Sequence, residues 1–251
     1  MDQVLHFARV LKTNEFTAFR EYIQYLFLNV LYSHPVSSRV YFKGGTAIHI
    51  IYHAPRFSED LDFTSHITGD AFSDLITDTF SHLTQSERLV FKERKTITGK
   101  RYMLATTNIT DLPPVYVNLD FSFREKVLQP ERSIIQTTFP ILFTEFVSHL
   151  SQEEMFAEKI RAIATRKKGR DLYDLWYLST RGVKLNENLV QQKLSYYHKD
   201  PITGMDILKR CEDFSERDFV QDLRPFVPIP ERTKLPQFFS YLKAYLKQTL
   251  T

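Results

Sequence analysis

The chain contains very little cysteine and no long apolar run. Its 251 residues include one cysteine, Cys211, which excludes an internal disulfide framework and a zinc site built from cysteines. The most apolar stretch, 25–32, is interrupted by Asn29 and is far shorter than the roughly 20 residues that a helix needs to cross a bilayer. The first residues also lack the basic start and apolar core of a signal peptide. We therefore expect a soluble, cytoplasmic protein that does not enter a membrane.

Several common enzyme signatures are missing as well. The sequence has no Gly-x-x-x-x-Gly-Lys phosphate loop and no third glycine to complete a dinucleotide fingerprint. It also lacks the Gly-x-Ser-x-Gly turn of serine hydrolases. His49 and His53 are four residues apart, but no acid lies between them as a zinc protease requires.

The overall composition is that of an ordinary soluble globular protein. Hydrophobic residues make up 43% and charged residues 25% of the chain, and the net charge is +3. Basic residues concentrate at 92–95, 100–101 and 166–170. Each cluster by itself is typical of a solvated turn or helix end. Together they would suit a basic surface beside an active site for a polyanionic substrate.

Hydrophobic periodicity predicts a mixed sheet flanked by helices and then a helical part, which is an α+β fold. Thr13 or Asn14 would cap the second helix, and Ser151 with Glu154 forms a capping box before a later one. At least two further helices follow 179. We place one domain at 1–150, with N-terminal helices and the sheet, and a helical domain at 151–251. The predicted helices are 2–11, 16–32, 46–52, 70–83, 155–166 and 171–179, and the predicted strands are 39–42, 60–63, 89–97, 101–108 and 115–121.

A paired glycine at the strand–helix junction gives the first indication of a binding site. In Gly44-Gly45-Thr46 the glycines allow a sharp turn and a close approach to a ligand. The N–H groups of the helix that starts there would suit phosphate, and the Thr46 hydroxyl would add a donor. Taken alone, the motif is better explained as a turn that happens to use glycine.

Two aspartates that follow the glycine turn strengthen the case. Asp60 and Asp62 are two apart in a predicted strand, so both carboxylates face the same side. Like charges held close together are costly unless a cation lies between them. Mg²⁺ commonly binds such carboxylates together with substrate phosphates. A solvated edge strand is an equally good explanation of these acids taken alone.

Asp120 is a third candidate metal ligand. It shares a face with Tyr116, Asn118 and Ser122 of another alternating strand. If this strand pairs beside 60–63, three carboxylates surround two metal ions, the arrangement used for in-line phosphoryl displacement. Asp120 would then assist deprotonation of the attacking hydroxyl.

Four segments of the sequence resemble the motifs of a known family. Its 43–47 and 56–63 segments look like the first motif of AbiEii-type nucleotidyltransferases, which belong to the polymerase-β-like superfamily and include the MenT toxins. The segments 158–162 and 170–175 are similar to that family's later motifs. The resemblance implies a polymerase-β-like core followed by a helical domain, and it spans 43–175.

The resemblance also implies residue roles. Gly44, Gly45 and Thr46 would cradle a nucleoside triphosphate, and Asp60 and Asp62 would bind metal. Lys159 would contact the nucleotide phosphates, and Asp171 or Asp174 would complete the site. Family members are commonly toxins of type IV toxin–antitoxin or abortive-infection systems, which implies a cognate antitoxin. Some of them add nucleotides to tRNA.

The residues themselves leave alternatives open for several of these positions. Lys159 shares a helical face with Met155 and Ile163, where a lysine usually extends its amine to the surface. Asp171 and Asp174 are neighbours on one helix face, and Asp171 would serve equally well as a helix cap. Two further candidates precede the acidic strand: Arg56 would bridge to Asp60 or grip phosphate, and Ser58 would bind nucleotide or shape the turn.

We therefore predict a Mg²⁺-dependent nucleotidyltransferase that uses a nucleoside triphosphate, with RNA, and tRNA in particular, as the favoured acceptor. A small-molecule acceptor, as in antibiotic modification, would use the same core. A two-metal phosphodiesterase or nuclease would use the same acids without the glycine turn. A binding protein with a degenerate site is the third possibility, and the intact acids and Lys159 argue against it.

Overall fold

The structure is a computed structural model that describes residues 2–87, 89–107 and 114–250. The chain divides into two compact units. The first comprises Met1–Ile51 and Phe57–Leu150, and the second comprises Tyr52–Arg56 and Ser151–Thr251. The short segment 52–56 therefore belongs to the second unit although it lies early in the sequence.

The first unit is a mixed sheet with helices. Its helices are α1 (Asp2–Val10), α2 (Glu15–Ser33), α3 (Gly44–Ile50) and α4 (Gly69–Ser86), and its strands are β1 (Val40–Lys43), β2 (Leu61–Ser65), β3 (Leu89–Arg94), β4 (Lys100–Thr106), β5 (Tyr116–Ser122), β6 (Pro130–Ser133) and β7 (Val147–Leu150). The strand order is β3-β4-β5-β2-β1-β7-β6. The pairs β2–β5 and β1–β7 are parallel and the other neighbouring pairs are antiparallel.

One face of this sheet forms an aromatic core. Phe63 of β2 stacks on Phe121 of β5 with ring centroids 4.8 Å apart, and Phe72 of α4 meets Phe121 edge-on. Phe27 of α2 packs against Phe63 from the same side. Because side chains alternate along a strand, Asp62 and Asp120 point to the other face. The core thus fixes the orientation of both acids.

The second unit is helical. Besides 52–56 it contains α5 (Gln152–Thr165), α6 (Gly169–Thr180), α7 (Glu187–Ser195), α8 (Gly204–Glu212), α9 (Glu216–Leu223) and α10 (Leu235–Thr249), with 3₁₀ turns at Arg224–Phe226 and Ile229–Lys234. Trp176 of α6 packs edge-on against Phe238 of α10 at 4.7 Å. The Tyr177 hydroxyl donates to the carbonyl of Tyr52 at 2.6 Å, which ties the early segment to α6.

The predicted fold class is confirmed, with local differences. Asn14 rather than Thr13 caps α2, because its side chain accepts the N–H of Thr17. The acidic strand begins at Leu61, one residue after the prediction. Strands β6 and β7 are missing from the prediction, and the predicted strand end at Asn108 lies outside the described residues. Within the described part of the chain, no helix has the length and apolar character to cross a membrane.

Candidate active site

The carboxylate of Asp62 lies directly against the glycine turn. Gly44 follows β1 at a φ of +81°, and a Cβ on it would stand 2.3 Å from Oδ2 of Asp62. Glycine adopts this left-handed φ without strain, and because it has no Cβ it leaves room for the carboxylate. Lys43 and Asp62 are register partners in β1 and β2, which sets this close approach. Any side chain at position 44 would therefore collide with the Asp62 carboxylate in its present position.

The second and third acids lie beside Asp62. Asp62 and Asp120 are register partners on the parallel strands β2 and β5, so their side chains share one face. Asp60 immediately precedes β2, and its Oδ1 accepts the side-chain N–H of Asn118 at 2.9 Å. The predicted pairing of the two acidic strands is confirmed. Asn118, which the sequence placed on the face of Asp120, holds Asp60 on that side.

An arginine neutralises Asp120. Arg101 of β4 is the register partner of Asp120 and forms an ion pair and hydrogen bond with it. The pKa of Arg101 is raised, first by the hydrogen bond to Asp120 and further by the charges of Asp120, Asp60 and Asp62, against a lowering effect of burial. From sequence, Arg101 belonged only to a basic cluster. Its assignment to this site needed the strand register.

Thr46 faces inward. Its side chain is fully buried, and its hydroxyl donates to the carbonyl of Asp60. The hydroxyl therefore fixes the backbone beside the acid, whereas the sequence predicts a donor to phosphate. Helix α3 has only seven residues.

A buried ion pair that the sequence does not predict lies next to the glycine turn. The Lys43 amine pairs with Glu125, which is 3% exposed. The two residues are 82 positions apart, so no local pattern relates them. The pair holds the end of β1 immediately before Gly44.

The turn that precedes the acidic strand is anchored to α2. The Gln24 amide donates to the carbonyls of Ser58 and Glu59 at 3.1 and 2.9 Å, and Arg20 pairs with Glu59 at 2.9 Å. Ser58 therefore contributes to the shape of this turn through its carbonyl. Its predicted contact with nucleotide stays a prediction.

The acids of the first unit suit a hard divalent cation in part. Within 2–87, 89–107 and 114–250, no three His, Cys, Asp or Glu side chains are arranged to hold a metal ion. Mg²⁺ is commonly held by one or two carboxylates, with waters and substrate phosphates completing the shell. Asp60 and Asp62 meet that requirement in residue type and position, and Asp120 is held by Arg101.

The remaining predicted residues form a buried charge cluster in the second unit. The Lys159 amine contacts Asp174 at 2.7 Å and Asp171 at 3.0 Å. Arg56 binds Asp174 through two guanidinium nitrogens, and Arg166 binds Asp171 at 2.7 Å. The structure thus brings Lys159, Asp171 and Asp174 together in one cluster. Their roles toward a nucleotide stay predictions.

Three local interpretations from the sequence are corrected by this cluster. Arg56 pairs with Asp174, 118 positions away, whereas a bridge to Asp60 was one expectation. Lys168 is the N-cap of α6 and Asp171 lies inside its first turn. Asp171 therefore acts through its ion pairs and is not the cap. Lys159 is 7% exposed, so it does not extend its amine to the surface.

The charges in the cluster keep one another ionised. Burial alone would raise the pKa of Asp171, but Lys159 and Arg166 outweigh it and hold the pKa well below its ordinary value. Burial would likewise lower the pKa of Lys159, and Asp174 and Asp171 raise it instead. Lys159 and Asp171 are therefore both charged at neutral pH. A buried cluster of this kind is strongly destabilised when one partner is removed.

Much of the predicted basic surface at 166–170 is used inside the second unit. Besides the Arg166–Asp171 pair, Lys167 donates to the carbonyl of Asp213, and Arg170 pairs with Asp222 at 3.4 Å. These contacts tie the basic segment to Asp171, Asp213 and Asp222 of the same unit. The basic residues Lys92 and Arg94 of the β3–β4 hairpin are arranged differently, because both are exposed.

Known proteins resemble this chain in sequence and in fold. The family model described as "Nucleotidyl transferase AbiEii toxin, Type IV TA system" matches residues 27–244. Among solved structures, the fold is similar to MenT4, a nucleotidyltransferase toxin from Mycobacterium tuberculosis H37Rv, with 18% identity, a TM-score of 0.68 and coverage of 97% of this chain and 89% of that one. A protein from H. pylori described as a nucleotidyltransferase gives 20% identity, a TM-score of 0.61 and coverage of 94% and 96%. No curated protein sequence in the comparison matches the chain.

Proposed function

Because the chain belongs to the AbiEii nucleotidyltransferase toxin family of type IV toxin–antitoxin systems, we propose that it transfers a nucleoside monophosphate from a nucleoside triphosphate to RNA. One observation carries this proposal. Asp62 and Asp120 are side by side on parallel strands, and Asp62 lies against Gly44. The arrangement combines acids for a cation with a turn that leaves room for a triphosphate.

In the proposed reaction, a hydroxyl oxygen of the RNA attacks the α-phosphorus of the triphosphate. A new P–O bond forms, the bond from the α-phosphorus to the bridging oxygen breaks, and pyrophosphate leaves with that oxygen. Asp60 and Asp62 would hold Mg²⁺, which when bound would neutralise phosphate charge and lower the pKa of the attacking hydroxyl. Asp120 would accept the hydroxyl proton. The backbone of Gly44 and Gly45 would lie against the phosphates.

A tRNA is the favoured acceptor within this proposal. The hairpin cations Lys92 and Arg94 are exposed, and cations of this kind bind RNA backbones without regard to sequence. The proposed biological role is that of a toxin restrained by an antitoxin encoded alongside it. Expression without the antitoxin should arrest growth, and co-expression should relieve the arrest.

The decisive experiment incubates the protein with Mg²⁺, α-labelled nucleoside triphosphates and total RNA. We expect RNA to gain label with wild-type protein and to gain none with Asp62→Asn. Asp74→Asn is the matched control, because Asp74 is an exposed aspartate of α4 in the same unit and its loss should leave labelling intact.

The other outcomes each contradict the proposal in a different way. Shortened RNA without label would indicate a nuclease, and label on a small molecule or on protein would indicate another acceptor. Normal growth at high expression, together with no activity on purified RNA, would remove the toxin role. Equal labelling by wild type and Asp62→Asn would remove the acids from the mechanism.

A further inference from the structure

The two faces of the β3–β4 hairpin carry different charges. Register pairs Arg94 with Arg101 and Lys92 with Met103, so the three cations among these residues share one face. The opposite face carries Glu93 and Lys100, whose charges pair at 2.6 Å. Within the described strands β3 and β4, the first face has no carboxylate. We call this surface, formed by Lys92 and Arg94 of β3 and by Tyr116 on the same face of β5, the cationic hairpin face.

The cationic hairpin face continues directly into the candidate active site. Arg101 is the register partner of Asp120, and Asp120 is the register partner of Asp62. Side chains that are paired across neighbouring strands point to the same side of a sheet. Since adjacent strands lie about 4.8 Å apart, Arg94 is roughly 10 Å from Asp120 across the sheet. A strand of a few nucleotides spans that distance.

The cations at the outer end of this surface pair with no carboxylate of the residues that the structure describes. Lys92 is exposed and forms no ion pair within the part of the chain that the structure describes. Arg94 donates to the sulfur of Met103 at 2.9 Å, and a thioether is a weak acceptor. Arg101, by contrast, is already paired with Asp120. Lys92 and Arg94 are therefore the two cations that remain available to an external anion.

An exposed aromatic side chain completes the surface. Tyr116 of β5 is the register partner of Ala105, which places it on the same face, and it is 46% exposed. A solvent-exposed tyrosine on a strand offers a plane on which a base can stack. Exposed cations and an aromatic plane on one face of a sheet are the combination that binds a single-stranded nucleic acid, because the cations contact the phosphates and the aromatic ring stacks on a base.

We propose that the cationic hairpin face binds the single-stranded end of the RNA acceptor and directs it toward Asp120 and Asp62. The proposal rests on the proposed nucleotidyl transfer and adds the surface that the acceptor uses. Lys92 and Arg94 contact the RNA phosphates, and Tyr116 stacks on a base. The charge then changes from positive at the hairpin to negative at the acids, where the terminal hydroxyl must react.

The test measures RNA binding and the KM for RNA separately. A fluorescently labelled single-stranded RNA is titrated with wild type, Lys92→Gln, Arg94→Gln, the double variant and Tyr116→Ser over a range of salt concentrations. Lys100→Gln is the matched control, because it removes the same charge from the opposite face of the same hairpin. Thermal denaturation checks that each variant is folded.

We expect the double variant to bind RNA about tenfold more weakly at low salt. The slope of the logarithm of the affinity against the logarithm of the salt concentration should become shallower by about 0.7 for each phosphate contact removed. Tyr116→Ser should weaken binding by at least about fivefold, since stacking on one aromatic side chain contributes ~1–3 kcal/mol. Lys100→Gln should remain within twofold of wild type. In the transfer assay, the KM for RNA should rise while the KM for the triphosphate stays unchanged.

Failure of this inference can be told from failure of the proposed function. If wild type labels RNA but the double variant keeps the wild-type affinity and KM for RNA, the cationic hairpin face is not the acceptor surface. If the KM for the triphosphate rises instead, the surface binds the triphosphate and the inference is equally wrong. If wild type binds RNA through this face but labels none under any condition, the proposed transfer fails while the binding surface stands.

Discussion

Asp62 and Gly44 are in contact across β1 and β2, so closely that a methyl group at position 44 would stand 2.3 Å from the carboxylate. This contact joins the glycine turn to the acidic strand, the two sequence motifs of the candidate site. The acid and the glycine are 18 positions apart in sequence, and each would be unremarkable alone. Because of this contact, the Asp62 carboxylate can occupy its position only if residue 44 is glycine.

Gly44→Ala should therefore abolish nucleotidyl transfer. The new Cβ must displace the Asp62 carboxylate, and the positive φ adds strain of about 1–3 kcal/mol. Gly69→Ala is the matched control, because Gly69 has a φ of +62° with nothing within 4 Å of the added Cβ. Labelling of RNA and urea denaturation measure the two effects. An active Gly44→Ala protein would show that the position of Asp62 is not critical.

Arg101→Gln should strengthen the binding of divalent cations to the free protein. The guanidinium is paired with Asp120 and lies within the field of Asp60 and Asp62, so it competes with a metal ion for the same negative charge. We expect about a fivefold gain in Mn²⁺ affinity, or about 1 kcal/mol, measured from the free Mn²⁺ signal in electron paramagnetic resonance. The gain should disappear in an Asp120→Asn background. Equal affinities in wild type and Arg101→Gln would contradict the competition.

Thr46→Val tests whether the Thr46 hydroxyl supports Asp60 or binds phosphate. The buried Thr46 hydroxyl donates to the Asp60 carbonyl, and loss of a hydrogen bond of this kind costs about 1 kcal/mol. We expect lower stability and a lower kcat with an unchanged KM for the triphosphate, and recovery of both in Thr46→Ser. A raised KM at full stability would assign the hydroxyl to the phosphate.

Asp171→Asn should lower stability in a pH-dependent way. Burial opposes ionisation, but Lys159 and Arg166 hold the pKa of Asp171 below the 3.8 expected of the unfolded chain. A lowered folded-state pKa stabilises the protein above the unfolded value, and that stabilisation is lost as pH falls below it. We expect a loss of about 3 kcal/mol at pH 7 that shrinks below about pH 4. Urea denaturation across this range measures the difference, with Asp74→Asn as control.

A constant difference between wild type and Asp171→Asn from pH 7 to pH 3 would contradict this account. It would mean that the carboxylate stabilises the second unit through its shape and hydrogen bonds alone. The Asp74 control should show a small difference at every pH, because Asp74 is exposed. Residual label transfer by folded Asp171→Asn would separately test its predicted role in catalysis.

The sequence predicted those features that depend on local spacing. The alternation around Asp62 and around Asp120 was sufficient to orient both acids, because a strand has a period of two and its apolar partners Phe63 and Phe121 needed a core. The cap of α2 could be narrowed to Thr13 or Asn14, because a capping residue stands immediately before its helix. Strands β6 and β7 have only four residues each, too few for a periodic pattern to distinguish them from a loop.

The partners of charged residues could not be predicted. Arg56 meets Asp174 and Lys43 meets Glu125 across 118 and 82 positions, and several acids would have been equally acceptable in each case. The same limit applies to the basic clusters. Arg166 and Lys92 look alike in sequence, but the fold pairs Arg166 with a buried aspartate and leaves Lys92 exposed.

The assignment of 52–56 to the second unit has a consequence for synthesis on the ribosome. Arg56 is made early, and its ion pair with Asp174 cannot form until 118 further residues have been added. Domains generally fold as units while the chain emerges, but here the second unit incorporates a piece of the chain that left the ribosome long before. A nascent chain released after residue 150 would contain the whole sheet with its acids. It would also contain the segment 52–56, but without the helices of the second unit against which this segment packs.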